Sequence, residues 1–115
     1  MTLPVIDTVK CDSETAHVRF DLSPDLDVFQ GHFPDMPILP GVAQLDWVMQ
    51  IAARCFGLTE PVARDFQVKF TDIIRPGLPL SLDIDIDRAR SRLSFQYKVG
   101  EKVVSAGRIK LENSP

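Results

Sequence analysis

Residues 41–56, GVAQLDWVMQIAARCF, decide the fold of this 115-residue chain. Apolar side chains fill most positions of the segment, and a helix of that composition is buried on most of its sides. Gly57 follows, and glycine is common just after a helix C-terminus. We therefore predict one long, largely buried helix from Gly41 to Phe56. Four polar side chains interrupt its apolar surface: Gln44, Asp46, Gln50 and Arg54.

The sequence on both sides of this helix is patterned as β-strands. Residues 16–22 alternate apolar and polar side chains, and the polar turn at 11–14 predicts that they pair with a strand at 5–11. A short extended piece is expected at 26–29. We predict an α+β protein with the single domain 1–115, in which a curved antiparallel sheet of about five or six strands wraps the central helix. The remaining strand patterns lie at 62–74, 78–87, 93–99 and 102–111, with turns at 76–77, 88–92 and 100–101.

Composition and charge argue against several classes of protein. The formal net charge is −3 and no long run of lysine or arginine occurs, which argues against nucleic-acid binding. No apolar stretch approaches the roughly 18 residues of a membrane span, and residues 1–4 do not follow the plan of a signal peptide. We therefore expect a cytoplasmic protein. Cys11 and Cys55 lack the spacing of a metal site and are predicted to be buried, reduced thiols.

The segment before the helix is rigid and carries a histidine. Residues 31–41 read GHFPDMPILPG, and their prolines fix φ and remove backbone donors. His32 is thereby held on a stiff segment that leads into the helix start. There, the N–H groups of Gly41 and Val42 are able to bind an anion or polarise a carbonyl oxygen. Asp46 lies on the polar stripe of an apolar helix, where we expect partial desolvation to let it hold a proton near neutral pH.

A histidine, two backbone donors and a carboxylic acid suit one kind of chemistry. They are the groups needed to remove a proton α to a carbonyl and to protonate a leaving group. The structural alternatives are that His32 and Gly41 only shape the loop and that Gln50 only satisfies backbone groups. Asp83, Asp85 and Asp87 alternate on one strand face without calcium-loop geometry, so we expect a solvated face and no metal.

These residues resemble the hotdog-fold 3-hydroxyacyl-ACP dehydratases of fatty-acid synthesis. The resemblance rests on Gly-His-Phe-Pro at 31–34, Pro-Ile-Leu-Pro-Gly-Val at 37–42, and an acid at position 46 that is 46 − 32 = 14 residues after His32. Gln50, four residues past the acid, matches the family's helix glutamine. Asp46 differs from the Glu of the commoner branch. Residues 31–47 look most similar to the small dehydratases of bacterial aryl-polyene clusters.

The resemblance implies a role for each of these residues. His32 would take the C2 proton of a 3-hydroxyacyl thioester, and Asp46 would protonate the departing C3 hydroxyl as water. The N–H groups of Gly41 and Val42 would hold the thioester oxygen, and Gln50 would support the acid. The family also has a cis peptide bond near the motif histidine, which the resemblance places at residues 32–33.

The resemblance also implies partners for this chain. The substrate would arrive as a phosphopantetheine thioester on acyl carrier protein, and no cofactor is implied. Because the histidine and the acid come from different protomers in that family, we expect a homodimer or a heterodimer with a homologous hotdog subunit. Arg64, Lys69 and Arg75 are candidates to attract the acidic carrier protein, although scattered surface charge is the ordinary interpretation.

Two alternative functions remain open at this stage. The first is a hotdog acyl thioesterase, and the second is a non-catalytic hotdog subunit that pairs with a homologue. The presence of both His32 and Asp46 favours the dehydratase over either alternative. His17 is expected to occupy an exposed strand position and has no partner motif, and Trp47 and Met49 are expected to lie in the core.

Overall fold

In the computed structural model, which describes residues 3–30 and 37–112, one long helix lies against a single antiparallel sheet. The predicted helix is confirmed at both ends, and the predicted strands are confirmed with ends that shift by a few residues. The elements in chain order are β1 (Val5–Cys11), β2 (Thr15–Asp21), a 3₁₀ helix (Asp27–Phe29), α1 (Gly41–Phe56), β3 (Ala63–Phe70), β4 (Leu80–Asp87), β5 (Arg92–Val99) and β6 (Lys102–Leu111).

The six strands form one sheet in the order β1-β2-β4-β5-β6-β3, with every neighbouring pair antiparallel. The strands β1 and β3 are therefore the two edges. One helix and a six-stranded antiparallel sheet confirm the predicted hotdog arrangement. The prediction of an extended piece at 26–29 was wrong, because Phe29 N–H donates to the Leu26 carbonyl and Gln30 N–H to the Asp27 carbonyl, which closes a 3₁₀ turn.

The core lies between the inner face of the sheet and one face of α1. Trp47 is fully buried and packs at a tilt on Phe20 of β2, with ring centroids 5.6 Å apart. The opposite face of the helix is more open than predicted: Val42 is 62% exposed, and Met49 is only half-buried. The sheet covers one side of the helix, and within residues 3–30 and 37–112 no further strand or helix covers the other side. The buried helix positions are Ala43, Gln44, Trp47, Val48, Ile51, Ala52 and Phe56.

The C-terminus of α1 ends as predicted. Gly57 takes the left-handed conformation with φ of 66°, and its N–H donates to the Ala53 carbonyl. The Arg88 guanidinium donates to the carbonyls of Phe56 (3.2 Å) and Ser13 (2.9 Å). A cation on the last carbonyls of a helix complements its dipole, so Arg88 ties the helix end to the β1–β2 turn.

The cysteine prediction was partly wrong. Both thiols are free, but Cys11 at the end of β1 is exposed and Cys55 is half-buried. The edge position of β1 explains the exposure of Cys11, since the strand is covered on one side only. Within the described residues, no helix is long and apolar enough to cross a membrane.

Candidate active site at the helix N-terminus

The first turn of α1 presents two backbone donors. The N–H groups of Ala43 and Gln44 donate to the Pro40 carbonyl at 3.1 and 3.2 Å. Within residues 3–30 and 37–112, the N–H groups of Gly41 and Val42 have no acceptor. Unpaired donors at a helix N-terminus, where the dipole is positive, are suited to bind a carbonyl oxygen that gains negative charge.

Steric crowding explains why position 41 is occupied by glycine. A Cβ atom there would lie 2.7 Å from Cζ of Phe70, at the end of β3. The aromatic ring therefore crosses directly over the helix start, and Phe70 itself is 51% exposed. Phe70 forms an apolar wall beside the two donors. Phe70 was predicted only to lie in the strand at 62–74, because nothing local in the sequence indicates which residue contacts Gly41.

Asp46 and Gln50 form a hydrogen-bonded pair one helical turn apart. The Gln50 Nε2 donates to Asp46 Oδ2 at 2.7 Å, and both side chains are half-buried. Since Val42, Asp46 and Gln50 are spaced four residues apart, they share the helix face that points away from the sheet. The acid is thus held in one orientation on the side of the helix that the described residues leave uncovered.

Beneath the helix lies a buried tyrosine. The Tyr97 hydroxyl on β5 donates to the backbone carbonyl of Gln44 at 2.6 Å. Burial raises the pKa of Tyr97 well above its ordinary value, and the nearby charge of Asp46 raises this pKa further. The hydroxyl therefore stays a neutral donor under the first turns of α1. The strand pattern at 93–99 was predicted, but neither the burial of Tyr97 nor this contact with the helix was.

The structure brings Gly41, Val42, Asp46 and Gln50 together along the first three turns of one helix. His32 lies outside the described residues, as does the predicted cis peptide bond near it. The role of the histidine therefore stays a prediction.

The outer face of the sheet carries a separate group of polar side chains. His17, for which no partner motif was found in the sequence, is half-exposed, and its Nδ1 is in hydrogen-bond contact with Asp83 Oδ1. Lys98 Nζ lies 3.9 Å from the other oxygen of Asp83. A polar groove of about 580 Å³ beside this pair includes Asp85 and Arg108 among its lining residues, on the opposite side of the sheet from α1. Within the described residues, no cluster of side chains is suited to hold a metal ion.

Comparison with known proteins points to one family. Residues 8–108 match the model of the ApeI-like family, described as ApeI dehydratase. The chain superposes on a chain of the dehydratase heterocomplex ApeI:P from Xenorhabdus doucetiae with a TM-score of 0.90 and 35% identity, covering 97% of this chain and 100% of that one. An uncharacterised protein from Erwinia carotovora gives a TM-score of 0.83 and 35% identity, over 96% and 97% of the two chains.

Curated relatives are 3-hydroxyacyl-[acyl-carrier-protein] dehydratases named FabZ. The protein from Oenococcus oeni is 33% identical over 89 residues, which is 68% of this chain and 64% of the relative. That from Latilactobacillus sakei is 31% identical over 104 residues, or 81% and 74% of the two chains. The chain thus spans about 64% of the length of the first of these relatives.

Proposed function

The chain belongs to the ApeI-like dehydratase family, and we propose on that basis that it dehydrates a 3-hydroxyacyl thioester to the trans-2-enoyl thioester during fatty-acid-like or aryl-polyene chain elongation. The observation that carries the proposal is the first half of α1, where two backbone donors, which have no acceptor among the described residues, precede an oriented acid. A thioester oxygen on the N–H groups of Gly41 and Val42 would place the acyl chain along the face that carries Asp46.

Each group performs one part of the reaction. His32 takes the C2 proton, and the two backbone donors stabilise the negative charge that develops on the thioester oxygen. The C3–oxygen bond breaks as Asp46 gives its proton to the leaving hydroxyl, so that water departs. One proton is taken up by His32 and one is released by Asp46, and exchange with solvent restores both groups. Gln50 acts as a positioning residue by holding the Asp46 carboxyl.

We also propose that a second hotdog subunit completes the site. Phe66 and Phe70 are 56% and 51% exposed on the inner side of the edge strand β3. Together with Val42 on the exposed face of α1, they form an apolar surface that the described part of the chain leaves uncovered. An uncovered apolar surface beside an unpaired strand edge marks an interface. A second copy, or a homologue as in the heterocomplex noted above, would cover it and bring His32 of one subunit to Asp46 of the other.

The proposed substrate carrier is acyl carrier protein, and the proposed compartment is the cytoplasm. Arg64 and Lys69 are exposed on β3, and Arg75 is exposed in the segment that follows it. Cations near the proposed site would speed the encounter with an acidic carrier. The phosphopantetheine thioester would then reach the helix start beside Phe70.

The test is incubation with 3-hydroxyacyl-ACP, following enoyl-thioester absorbance and free thiol together. A dehydratase raises the absorbance without releasing thiol, whereas a thioesterase releases thiol. His32→Ala should abolish dehydration, and Asp46→Asn should lower kcat by about 10²–10⁴-fold. His17→Ala, which changes the histidine on the outer face, is the matched control and should retain wild-type activity.

Mixing inactive variants tests the shared site. If the histidine and the acid come from different subunits, a mixture of His32→Ala and Asp46→Asn should regain activity after subunit exchange, because mixed dimers contain one intact site. Failure to regain activity, with exchange shown by mass spectrometry, would contradict the shared site. Wild-type rates in both single variants would contradict the enzymatic proposal and favour the non-catalytic subunit.

A further inference from the structure

A buried amide lies on the inner side of the first turn of α1. Gln44 is only 3% exposed, and its Oε1 accepts a hydrogen bond from Ser105 Oγ of β6 at 2.6 Å. Its Nε2 donates to the Leu39 carbonyl over a longer 3.4 Å. Its backbone carbonyl accepts the Tyr97 hydroxyl at 2.6 Å. One residue therefore joins the helix, two strands and the segment that enters the helix.

The two strand residues in this network are themselves fixed. Tyr97 and Ser105 are fully buried and are direct cross-strand partners on β5 and β6. Burial of an amide is unfavourable unless it is hydrogen-bonded, so packing alone does not call for glutamine at this position. A satisfied buried network, in contrast, holds its members in one arrangement.

The network lies next to the two backbone donors of the site. The Leu39 N–H donates to the Ile74 carbonyl at 2.7 Å, while the Leu39 carbonyl accepts from Gln44. The backbone N–H and the backbone carbonyl of Leu39, two residues before Gly41, are thus both hydrogen-bonded. The peptide that leads into the helix cannot shift without breaking one of these bonds.

We propose that Gln44 is a positioning residue that sets where the N–H groups of Gly41 and Val42 stand relative to the thioester oxygen. The inference rests on the proposed function of these donors. Donors of this kind act when they lie about 2.7–3.1 Å from the developing negative charge, and a misplacement of about 1 Å can cost about 10²-fold in rate. Because the interaction strengthens in the transition state, its loss lowers kcat more than it raises KM.

The kinetic test compares Gln44→Met with a matched destabilised variant. Methionine keeps a similar volume without the amide, and kcat is expected to fall about 10–100-fold with KM within about threefold of wild type. Leu93→Ala removes a fully buried side chain on β5, cross-strand from Ile86 and far along the strands from Ser105. Leu93→Ala should lower the melting temperature at least as much as Gln44→Met does, while its kcat stays within about twofold of wild type. A wild-type kcat in Gln44→Met would overturn the inference.

A rescue variant separates hydrogen bonding from packing. In Gln44→Glu, a protonated carboxyl can both donate to Leu39 and accept from Ser105, but a carboxylate can only accept. Its kcat relative to wild type should therefore rise as the pH falls, whereas the Gln44→Met ratio should stay constant with pH. A constant ratio in both variants would overturn the inference. If Gln44→Met does not fold, Ser105→Ala removes one bond of the same network and should lower kcat in the same direction.

Amide exchange gives a readout that does not need turnover. The N–H groups of Leu39 and Ala43 should exchange about tenfold faster in Gln44→Met than in wild type, and at the wild-type rate in Leu93→Ala. If the wild-type protein converts no 3-hydroxyacyl-ACP, the proposed function is wrong. The amide exchange rates of Leu39 and Ala43 then still test whether Gln44 fixes the position of the helix start. Unchanged exchange at both positions would show that Gln44 only fills the core.

Discussion

Replacing Gly107 by alanine should weaken the attachment of the edge strand β3. Gly107 on β6 pairs with Val68 on β3 and with Phe95 on β5. A Cβ atom at this position would lie 2.5 Å from the Gln67 carbonyl oxygen and 3.1 Å from two atoms of the Phe95 ring. The oxygen belongs to the backbone of β3, so it cannot move away as a flexible side chain would.

The magnitude follows from the size of this overlap. A separation of 2.5 Å is about 0.9–1.5 Å shorter than an ordinary van der Waals contact of 3.4–4 Å. Overpacking of this kind costs about 1–3 kcal/mol, and alanine recovers about 0.5–1 kcal/mol by restricting the unfolded chain. We expect a net loss of about 1–2 kcal/mol, which corresponds to a melting temperature lower by about 4–8 °C.

The assay is thermal unfolding at equal protein concentration, since association changes apparent stability. Gly100→Ala is the control. Unlike Gly107, Gly100 has a left-handed backbone, with φ of 61°, but no atom lies within 4 Å of the new Cβ, so only conformational strain of about 1 kcal/mol opposes the substitution. The clash with the Gln67 backbone does not involve the Phe95 ring. The double variant Phe95→Leu/Gly107→Ala should therefore still melt at a lower temperature than the single variant Phe95→Leu. A Gly107→Ala protein that melts at or above the wild-type temperature would refute the reasoning.

Two further predictions concern titratable groups. Because the pKa of Tyr97, the only tyrosine, is raised, the folded state keeps a proton that the unfolded state loses above about pH 10. The free energy of unfolding should therefore fall as the pH rises past that value. Tyr97→Phe should remove this part of the decline, measured by urea unfolding. Burial, together with the adjacent Cys11 thiol, raises the pKa of Cys55 to about 12, so at about pH 8 a thiol reagent should label Cys11 rapidly and Cys55 slowly. Cys11→Ser should abolish the fast phase, and equal fast labelling of both thiols would contradict the assignment.

The sequence alone determined the features that depend on neighbouring residues. The ends of α1 follow from Pro40 and Gly57, and the faces of β2 follow from strict alternation, because helix capping and strand pleating act over a few residues. The spacing of Asp46 and Gln50 likewise predicted that they share one stripe of the helix, and the family resemblance implied that Gln50 supports the acid, to which it donates a hydrogen bond. The 3₁₀ turn at Asp27–Phe29 escaped prediction because its apolar residues also fit an extended strand.

Only the tertiary structure decided which distant residues meet. Gln44 lies 61 positions from Ser105 and 53 from Tyr97, so no local pattern indicated their hydrogen bonds. The contacts of Phe70 with Gly41, and of Gly107 with Gln67, depend on the strand order that places β3 at the edge. Among the described residues, the sheet covers one face of α1 and leaves the face that carries Val42 uncovered. The helix that its composition predicted to be buried on most sides therefore carries an exposed Val42 and a half-buried Met49.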